Sequence, residues 1–508
     1  MIKTLVFVFL CLTRISVDSQ KAFDFLGERL QKALETGEGD VQVEFKTGTY
    51  FFKERHIDLK GLYRPGRSVT LLCNGSSFIG EGPDYHLKPH ALAFSADCKA
   101  PFNLQNGYWD LLNGVNVDFR APLCQGLSRP EVYRSRDGLC RIRGDEPDLS
   151  EEEAAEVYIQ LTQWYRSAIY KVRKIADGYI YFVSPKLTAD GSPETDIDAD
   201  YRFGKCLPRY ALINSPQAKQ EVSMRNGTVR AAKRMILHQS EACNFLTITG
   251  CSFAAFRLQD AHFCSNAEGT CLMKFYSVEG TSVAVQGCSF TGIRSNIVQV
   301  HRTVNFLFCN NTVTQAYRKG ILMDYFTVGA EIRDNVFSDT GVAMDNDFCI
   351  ETRGSCFWIH GNRFENFTYG AIAAGTHYRD RMPPSASGII EENELYCTPS
   401  FLEEPARLLM DSGAIYTWTI NKDVRIRNNY IHDIGGYGEN RGIFCDDGTV
   451  NVHITGNRIL RIRNYYCIDL RLCLSVEKDP ASCISRVNVG NTLENNEVDG
   501  KVRFVNRD

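Results

Sequence analysis

The sequence predicts an all-β protein: a right-handed parallel β-helix (solenoid) with an inserted β-rich lobe and an N-terminal capping helix. The main reason is a phrase that returns along the chain: an apolar residue, any residue, a turn residue such as Gly or Asn, then Asn, any residue and an apolar residue. It occurs at 332–337, 359–364, 390–395, 426–431, 454–459 and 493–498. Repeats of about 20–50 residues are typical of solenoids and propellers.

The spacing of the repeats favours the solenoid over a propeller. Cys251, Cys288 and Asn311 take the Asn position in earlier repeats, and successive positions lie 23 to 39 residues apart. The shortest steps accommodate one β-coil but not a strand plus a helix, and a propeller blade needs about 40–50 residues. Between the turns, apolar residues alternate with charged ones at period two, as at 424–427, which is typical of strands.

The repeated asparagines are predicted to stack in one turn of the solenoid. Asn tolerates the left-handed backbone region, and its amide can bond the neighbouring coil. We expect at least seven coils over residues 236–505, with these residues in the stacked turn: Asn311, Asn335, Asn362, Asn393, Asn429, Asn457 and Asn496.

The N-terminal region divides into a predicted signal peptide and a cap. Residues 1–19 contain Lys3 and then an apolar run at 5–12 that is too short to span a bilayer, so we expect cleavage before Gln20. Residues 20–90 are predicted to form the cap and first coil, because 23–34 has apolar residues at helical spacing. Such a helix would cover the open end of the solenoid, which otherwise exposes unpaired strand groups.

Residues 91–235 interrupt the repeat and are predicted to form the inserted lobe. They contain a capping-box pattern at 150–153 and aromatic strand-like runs around 157–170 and 179–183. The β-helix with the catalytic groove is predicted to occupy residues 236–508.

Composition excludes several classes of partner. The formal net charge of −4 gives no indication of nucleic-acid binding. No segment after the leader has 18 uninterrupted apolar residues, so no membrane span is expected, and the leader predicts a secreted, periplasmic or cell-surface protein. The 19 cysteines lack the spacing of a zinc site. Most are expected to be free thiols, with Cys124/Cys140 or Cys467/Cys473 as exceptions.

Carboxylates recur at one place in the repeats. Counting eleven residues back from three of the turn asparagines reaches Asp324, Glu351 and Asp446. The interval before Asn429 is longer, but the phrase at 409–413 matches that at 444–448. Asp411 and Asp446 are therefore expected at the same place on adjacent coils, each ending a strand on the same face, with coils stacked about 4.8 Å apart.

Stacked carboxylates separate each other's pKa values, and glycoside hydrolysis uses such a pair. Asp411 and Asp446 are the predicted catalytic pair, with Asp447 orienting a partner or taking the second role. Aromatic faces suit sugar rings, and Arg suits an acidic sugar. The residues predicted to bind substrate are Glu351, Asp324, Arg353, His377, Tyr416, Trp418, His432 and Arg441.

The repeated carboxylates are also compatible with two roles outside catalysis. An Asp before Gly often caps a turn, which is a purely structural role. Carboxylates also bind calcium, and the doubled Asp446 and Asp447 suit that ion. No cofactor is predicted, with calcium as the alternative.

The phrases at 411–418 and 442–449 resemble bacterial right-handed parallel β-helix carbohydrate-active enzymes of the pectin-lyase-like fold. They look closest to β-helix glycoside hydrolases of the fucosidase/xylosidase type. The resemblance implies an acidic pair on neighbouring coils, carried onto Asp411 and Asp446, and a β-rich lobe inserted early in the chain. Phe444 and Cys445 depart from the more usual Tyr and Leu.

The predicted function is a secreted glycoside hydrolase that cleaves a polysaccharide or oligosaccharide. One alternative is a polysaccharide lyase acting on a uronic-acid glycan, for which Arg353, Arg379 or Arg441 would matter most. The other is a non-catalytic glycan-binding β-helix, which would keep the aromatic residues and need no acid pair. The fold itself hosts many chemistries.

Overall fold

The computed structural model describes residues 12–37, 39–52, 57–58, 69–80, 90–94, 102–105, 108–110, 124–127, 139–143, 158–163, 166–176, 178–183, 209–213, 234–240, 245–249, 252–254, 271–277, 282–293, 296–316, 318–341, 347–375, 386–402, 411–418, 421–435, 439–446, 448–463, 465–470 and 489–505. Between residues 90 and 254, side chains are described only within 172–181.

Three long parallel sheets wrap around a common core. Each coil contributes one strand to sheet A, then one to sheet B and one to sheet C, and twelve such coils are described. Every coil except the terminal ones therefore pairs with a neighbour on each side, as expected for the predicted parallel β-helix.

The strands of sheet A are β1 (Leu12–Val17), β2 (Asp40–Phe45), β5 (Val69–Leu72), β8 (Phe102–Gln105), β17 (Phe245–Thr249), β20 (Ser282–Gln286), β23 (Phe306–Cys309), β26 (Glu331–Arg333), β29 (Phe357–His360), β32 (Ser387–Glu391), β35 (Asp423–Arg427), β38 (Val452–Thr455) and β41 (Thr492–Glu494). Those of sheet B are β3 (Thr49–Phe52), β6 (Ser77–Gly80), β9 (Tyr108–Asp110), β18 (Ser252–Ala254), β21 (Ser289–Thr291), β24 (Thr312–Thr314), β27 (Val336–Thr340), β30 (Arg363–Phe367), β33 (Glu394–Tyr396), β36 (Tyr430–Ile434), β39 (Arg458–Ile462) and β42 (Glu497–Val498).

The strands of sheet C are β4 (Ile57–Asp58), β7 (His90–Phe94), β16 (Arg234–Ser240), β19 (Cys271–Ser277), β22 (Asn296–His301), β25 (Ile321–Met323), β28 (Phe348–Thr352), β31 (Gly370–Ala374), β34 (Ser412–Thr417), β37 (Asn440–Cys445), β40 (Tyr466–Leu470) and β43 (Lys501–Phe504). Three described helices complete the element list: α1 (Gln20–Asp24), α2 (Leu26–Thr36) and α3 (Pro399–Leu402).

The predicted asparagine stack is confirmed. It fills the turn between sheets A and B, where the side-chain oxygen of each Asn accepts hydrogen bonds from the backbone and side-chain nitrogens of the Asn one coil earlier. From Asn311 to Asn496 these donor–acceptor distances are 2.8–3.1 Å. Cys288 continues the stack with its backbone nitrogen, 2.8 Å from the Asn311 side-chain oxygen. The ladder therefore satisfies a column of buried polar groups.

The left-handed residue of this turn is the one before the stacked Asn, not the Asn itself as the sequence suggested. Asn310, Asp334 and Asn428 have φ values of 54°, 55° and 55°. Gly361 and Gly456 take the same position at 63° and 68°. Glu392 takes this position too, at 54°, whereas the Gly, Asn and Asp of the other coils are the residue types that tolerate positive φ best.

The core is a continuous apolar column inside the three sheets. Sheet B supplies a run of stacked rings, including Phe337 and Phe364 with centroids 5.0 Å apart and planes at 10°. Sheet C supplies a row of aliphatic residues in register, such as Ile372, Ile415 and Ile443. All of these side chains are buried, and this burial is the main driving force for folding.

The predicted N-terminal capping helix is present as α1 and α2. Ser19 caps α1 by accepting a hydrogen bond from the backbone nitrogen of Ala22. Leu26, Leu30 and Leu34 lie on one face of α2 and are buried where the helix packs against β1, β2 and β4.

The predicted signal segment 1–19 overlaps strand β1, which pairs along its length with β2. Ile15 and Val17 of β1 are buried, and the Tyr50 hydroxyl donates a hydrogen bond of 2.8 Å to the Val17 carbonyl. Cleavage before Gln20 would remove this strand, and the signal segment at residues 1–19 stays a prediction.

The predicted lobe of residues 91–235 begins later than expected. Strands β7, β8 and β9 belong to the solenoid sheets, and β16 rejoins sheet C at Arg234. Between β9 and β16 lies a six-stranded antiparallel sheet with the order β10 (Cys124–Leu127), β15 (Arg209–Ile213), β12 (Tyr158–Gln163), β13 (Arg166–Ala176), β14 (Tyr179–Val183), β11 (Leu139–Arg143). The lobe is therefore an insertion in one B-to-C connection.

The described cysteines behave as core residues. Cys73, Cys288, Cys309, Cys349, Cys397, Cys445 and Cys467 are buried free thiols, and Cys356 is an exposed one. Burial raises the pKa of Cys397 and of Cys445 to about 12, so both stay protonated. Cys473 lies outside the described residues, as do the side chains of Cys124 and Cys140. None of the described helices is long and apolar enough to cross a membrane.

Candidate functional site

The outer face of sheet C carries most of the predicted site residues, and the strand register sorts them into two rows. The first row consists of Gln299, Leu322, Glu351, Ala373, Tyr416, Phe444 and Asp469. The second row, two residues later in each coil, consists of His301, Asp324, Arg353, Gly375, Trp418 and Asp446. Residues two apart in a strand point to the same face, so both rows face outward.

The predicted single carboxylate ladder is only partly correct. Asp324 and Asp446 share the second row, but Glu351 lies in the first row, opposite Leu322. The connection from β25 to β26 is two residues longer than that from β28 to β29. Counting back from the asparagine therefore overshoots by two residues in one coil, although the side chain stays on the same face.

Asp411 and Asp446 lie on adjacent coils but at opposite ends of their strands. Asp411 directly precedes β34 and has a φ of 60°, whereas Asp446 directly follows β37. The expectation that both end a strand at the same place is therefore wrong. The phrases around them therefore match in sequence but lie at different points of the coil.

A buried aromatic cluster still links these two carboxylates. It consists of Phe348, Tyr369, Tyr416, Phe444 and the partly buried Trp418, which pack on the outer face of sheet C. The Tyr416 hydroxyl donates a hydrogen bond to Oδ2 of Asp446. Burial raises the pKa of Tyr416 well above its ordinary value, and the charges of Asp446 and Asp411 raise it further. This hydroxyl is therefore a permanent hydrogen-bond donor beside Asp446.

Arg441 is not available to an acidic sugar, contrary to the sequence prediction. Its side chain is fully buried and lies between the rings of Phe444 and Tyr465, 3.8 and 4.4 Å from the two centroids. Its guanidinium nitrogens lie 2.6 Å from Asp469 and 2.9 Å from Glu439. Asp411 is 3.8 Å away. Arg441 is therefore a structural cation that holds the coils together.

His432 is also misplaced by the sequence prediction. It lies on β36 in sheet B, stacked between Tyr396 and Tyr430, and its ring nitrogens face Asp433 and Glu394 at 2.7 and 3.4 Å. His432 therefore lies on a different sheet from β37, the strand that Asp446 follows. His377 and Asp447 lie outside the described residues. Within the described part of the chain, no group of three or more His, Cys, Asp or Glu side chains is arranged to hold a metal ion.

A cleft of about 210 Å³ opens on the same face of sheet C, several coils before Asp446. It brings together three residues predicted to bind substrate, Asp324, Glu351 and Arg353, with residues that the sequence prediction missed. The lining side chains come from β22, β25 and β28 and the turns beside them: Asn296, Gln299, His301, Arg318, Lys319, Leu322, Met323, Asp324, Tyr325, Asp347, Glu351 and Arg353.

The charges in the cleft are buried and matched. The Lys319 ammonium lies 2.9 Å from Asp347 and 3.3 Å from Glu351. Arg318 contacts Asp347 at 3.2 Å, and Arg353 contacts Glu351 at 3.0 Å. Three cations and two carboxylates therefore form one continuous network, which explains how all but the partly exposed Arg353 can be buried.

This network keeps its members charged. Burial alone would raise the pKa of Glu351, but Lys319 and Arg353 outweigh it and lower the pKa below its ordinary value. The pKa of Asp347 is lowered for the same reason, by Arg318 and Lys319 against burial. Burial would lower the pKa of Lys319, yet the two carboxylates raise it. Glu351 is therefore an anion suited to stabilise positive charge, not a proton donor.

His301 and Asp324 form a hydrogen-bonded pair at the rim of the cleft. Oδ2 of Asp324 lies 3.1 Å from Nδ1 of His301, while Oδ1 accepts from Thr327 at 3.0 Å and from the backbone of Phe326 at 3.1 Å. Burial would raise the pKa of Asp324, but the hydrogen bonds from His301 and the Arg302 backbone lower it. Asp324 thus orients the imidazole of His301.

Gln299 differs from every charged residue in the cleft. Its side chain is fully buried, and neither the amide nitrogen nor the amide oxygen has a hydrogen-bond partner among the described residues. Leaving a buried polar group unpaired costs about 1–3 kcal/mol. Sequence analysis could have noticed this residue, because a Gln interrupts the otherwise apolar centre of 297–300.

Comparisons with known proteins bear on the fold. No family model matches the chain, and no curated protein matches it. Among solved structures, one described as a glycoside hydrolase has a TM-score of 0.51 at 10% identity and covers 96% of both chains. The periplasmic alginate epimerase AlgG gives a TM-score of 0.38 at 10% identity, covering 97% of this chain and 82% of that one.

A polygalacturonase from Erwinia carotovora ssp. carotovora gives a TM-score of 0.38 at 9% identity, covering 91% of this chain and 96% of that one. All three are right-handed parallel β-helix proteins. The likeness to the first of these, with the TM-score of 0.51 at 10% identity, is one of fold, and together with the three parallel sheets it confirms the right-handed parallel β-helix predicted from the sequence.

Proposed function

We propose that this protein is a glycoside hydrolase that binds a glycan chain along the outer face of sheet C. The observation that carries the proposal is the sharing of one face by the charged cleft and the aromatic cluster. Asp324 and Asp446 lie in the same row, four coil steps apart, which is about 19 Å at the usual strand spacing. A groove of this length suits an oligosaccharide or a segment of a polysaccharide.

The proposed catalytic pair is Asp411 and Asp446. Both lie close enough to Tyr416 for their charges to raise its pKa, and both are buried to more than nine-tenths. Hydrolysis adds water across a glycosidic bond: one carboxyl gives its proton to the leaving oxygen, and the other attacks the sugar or activates water. The Tyr416 hydroxyl donates a hydrogen bond to Asp446 and fixes the direction of this carboxylate, which supports the second role for Asp446.

A lyase acting on a uronic acid is the second candidate, because the cleft contains a base beside cations. His301, oriented by Asp324, could take a proton next to a carboxylate that Arg353 neutralises. The matched charges argue against it. Glu351 and Asp347 already engage Arg353, Lys319 and Arg318, so a uronate would have to displace a protein carboxylate.

The relation to solved structures is compatible with both candidates. The structure with the TM-score of 0.51 is described as a glycoside hydrolase, and at 10% identity this description suggests a reaction class without assigning it. Export from the cytoplasm remains part of the proposal, because an enzyme in the periplasm or outside the cell meets polysaccharides in those compartments.

The deciding experiment is product analysis on a panel of neutral and acidic polysaccharides. New reducing ends without ultraviolet absorbance at the cut end indicate a hydrolase. An unsaturated, ultraviolet-absorbing uronate indicates a lyase. Binding without any product, seen with all substrates that bind, would leave a glycan-binding protein and overturn the proposal of catalysis.

A further inference from the structure

We propose that Gln299 determines which sugar the cleft accepts, by bonding two neighbouring hydroxyl groups of one neutral sugar ring. The inference rests on the proposed function in one respect: the ligand is taken to be a glycan. It assigns a role to a residue outside the catalytic pair, several coils away from Asp446.

The side chain of Gln299 lines the cleft and is fully buried. Its neighbours in the strand register are Lys274 on β19 and Leu322 on β25. Leu322 also lines the cleft and offers no polar atom. A buried amide that no described residue pairs is suited to a polar group that enters from the cleft.

The chemistry of the amide is the second step. A Gln side chain presents one acceptor oxygen and two donor hydrogens in one plane. Two adjacent sugar hydroxyls match this arrangement, since one can donate to the oxygen while the other accepts from the nitrogen. A carboxylate only accepts, so it would leave the amide oxygen unpaired.

The charges around Gln299 are the third step. Lys319 and Arg353 are engaged by Asp347 and Glu351 at 2.9–3.3 Å, so the charged side chains satisfy one another without a ligand. Gln299 is the described polar side chain of the cleft in which both the donor and the acceptor lack a hydrogen-bond partner, and it is a neutral amide. This points to a neutral sugar with two adjacent free hydroxyls, and it disfavours a deoxy sugar at either position.

The test compares Gln299→Leu with Gln286→Leu, a matched change on strand β20 of sheet A, away from the cleft. Titration calorimetry would use four trisaccharides: cellotriose, xylotriose, β-1,4-galactotriose and trigalacturonate. We expect the wild type to bind at least one neutral trisaccharide. Gln299→Leu should bind it at least about tenfold more weakly, whereas Gln286→Leu should bind it as the wild type does.

Thermal unfolding without sugar separates a binding role from a structural one. Replacing an unpaired buried amide by an apolar side chain should leave the Tm unchanged or higher. A lower Tm for Gln299→Leu together with unchanged affinity would make the residue structural and overturn the inference. Wild-type binding of trigalacturonate alone, or of none of the four sugars, would overturn it as well.

Turnover on the same four sugars keeps this inference separate from the proposed reaction. If the wild type hydrolyses a neutral trisaccharide and Gln299→Leu keeps its KM, the inference fails and the hydrolase stands. If the wild type binds a neutral trisaccharide without turnover and Gln299→Leu loses that binding, the inference stands and the hydrolase fails.

Discussion

The turn between sheets A and B and the outer face of sheet C belong to the same coils but follow opposite rules. The turn uses the same residue type from Asn311 to Asn496 and pairs each side-chain amide with its neighbour. The outer face changes residue at every coil, from Gln299 through Glu351 to Tyr416, and leaves one buried amide without a described partner. Repetition stabilises the scaffold, and the proposed site lies on the face where the residues vary.

The largest expected effect concerns the proposed catalytic pair beside the outer face of sheet C. Asp411→Asn and Asp446→Asn should each lower kcat by about 10²–10⁴-fold, because each removes a group that transfers a proton or attacks the sugar. The measurement is steady-state turnover on the substrate found in the product screen. Circular dichroism and thermal unfolding of each variant check that the fold is retained.

Asp469→Asn is the informative control for that pair. Asp469 lies in the first row of the same face, but it is fully buried and both of its oxygens accept hydrogen bonds from Arg441 and Arg503, the shortest at 2.6 Å, so neither oxygen is free for a sugar. The Asp469→Asn variant should be less stable than the wild type, and at temperatures below its Tm it should keep the wild-type kcat. Near-normal kcat in both Asp411→Asn and Asp446→Asn would place the catalytic groups elsewhere, most plainly at Glu351 and His301 in the cleft.

The second prediction concerns the asparagine ladder in the turn between sheets A and B. Asn362→Ala, in the middle of the ladder, removes an oxygen that accepts two bonds from Asn335 and a nitrogen that bonds Asn393 and the Ile332 carbonyl. Stranding buried partners costs about 1–3 kcal/mol for each, so the free energy of unfolding should fall by about 4 kcal/mol. Urea denaturation measures it.

Asn496→Ala, at the end of the same ladder, is the matched control. Asn496 is only partly buried, so water can replace its side chain, and the loss should stay near about 1 kcal/mol. Equal losses at the two positions would show that the ladder contributes through turn geometry alone, without a cooperative column of hydrogen bonds.

The third prediction concerns the ion network in the cleft. Asp347→Asn removes the carboxylate that Arg318 and Lys319 share, so these buried cations lose a partner and stability should fall by about 3 kcal/mol. The lowered pKa values of Asp347 and Glu351 add a pH signature. Their contribution is complete above the unfolded pKa values, about 4, and is lost as the pH falls through the lower folded values.

Thermal unfolding from about pH 2.5 to 7 measures this contribution. The wild type should lose stability steeply below about pH 4, and Asp347→Asn should lose less over the same window because one of the two depressed carboxylates is gone. Parallel curves for the two proteins would mean that the network does not control acid stability.

The difference between the two regions also determines what sequence analysis could predict. The stacked asparagines were predictable because each contacts the same residue type one repeat away, so the pattern itself encodes the contact. The row that Glu351 occupies was not predictable. The connection from β28 to β29 is two residues shorter than that from β25 to β26, and this difference shifts the count back from the asparagine without a visible signal in the sequence.

Other errors concern which coil or sheet supplies the partner. Arg441 was expected to meet a sugar, but its partner Asp469 comes from the next coil, 28 residues away. His432 was assigned by closeness in the sequence to Asp446, although it lies on sheet B. The role of Lys319 was not predictable, because its partners Asp347 and Glu351 come from the next coil.

The smallest expected effect compares a Trp on the outer face of sheet C with a Trp on the outer face of sheet A. Trp418 stands in the second row of sheet C and packs on Phe348 and Tyr416, with ring centroids 5.7 and 5.5 Å away. It is partly exposed on the face proposed to bind glycan. Trp358 on sheet A is more exposed, at 42%, stacks on His360 at 3.8 Å and donates a hydrogen bond of 2.7 Å to Glu391. It provides a comparison on a face that is not proposed to bind glycan.

Trp418→Ala and Trp358→Ala should each lower stability by about 1–2 kcal/mol, because each loses ring contacts worth about 0.5–1.5 kcal/mol apiece. Only Trp418→Ala should also raise KM, by about tenfold, with kcat nearly unchanged, because a sugar-stacking platform contributes to binding in the ground state and transition state alike. A rise of KM in both variants would mean that the loss acts through general destabilisation. No rise in either would restrict the glycan to the cleft around Gln299, short of the aromatic cluster.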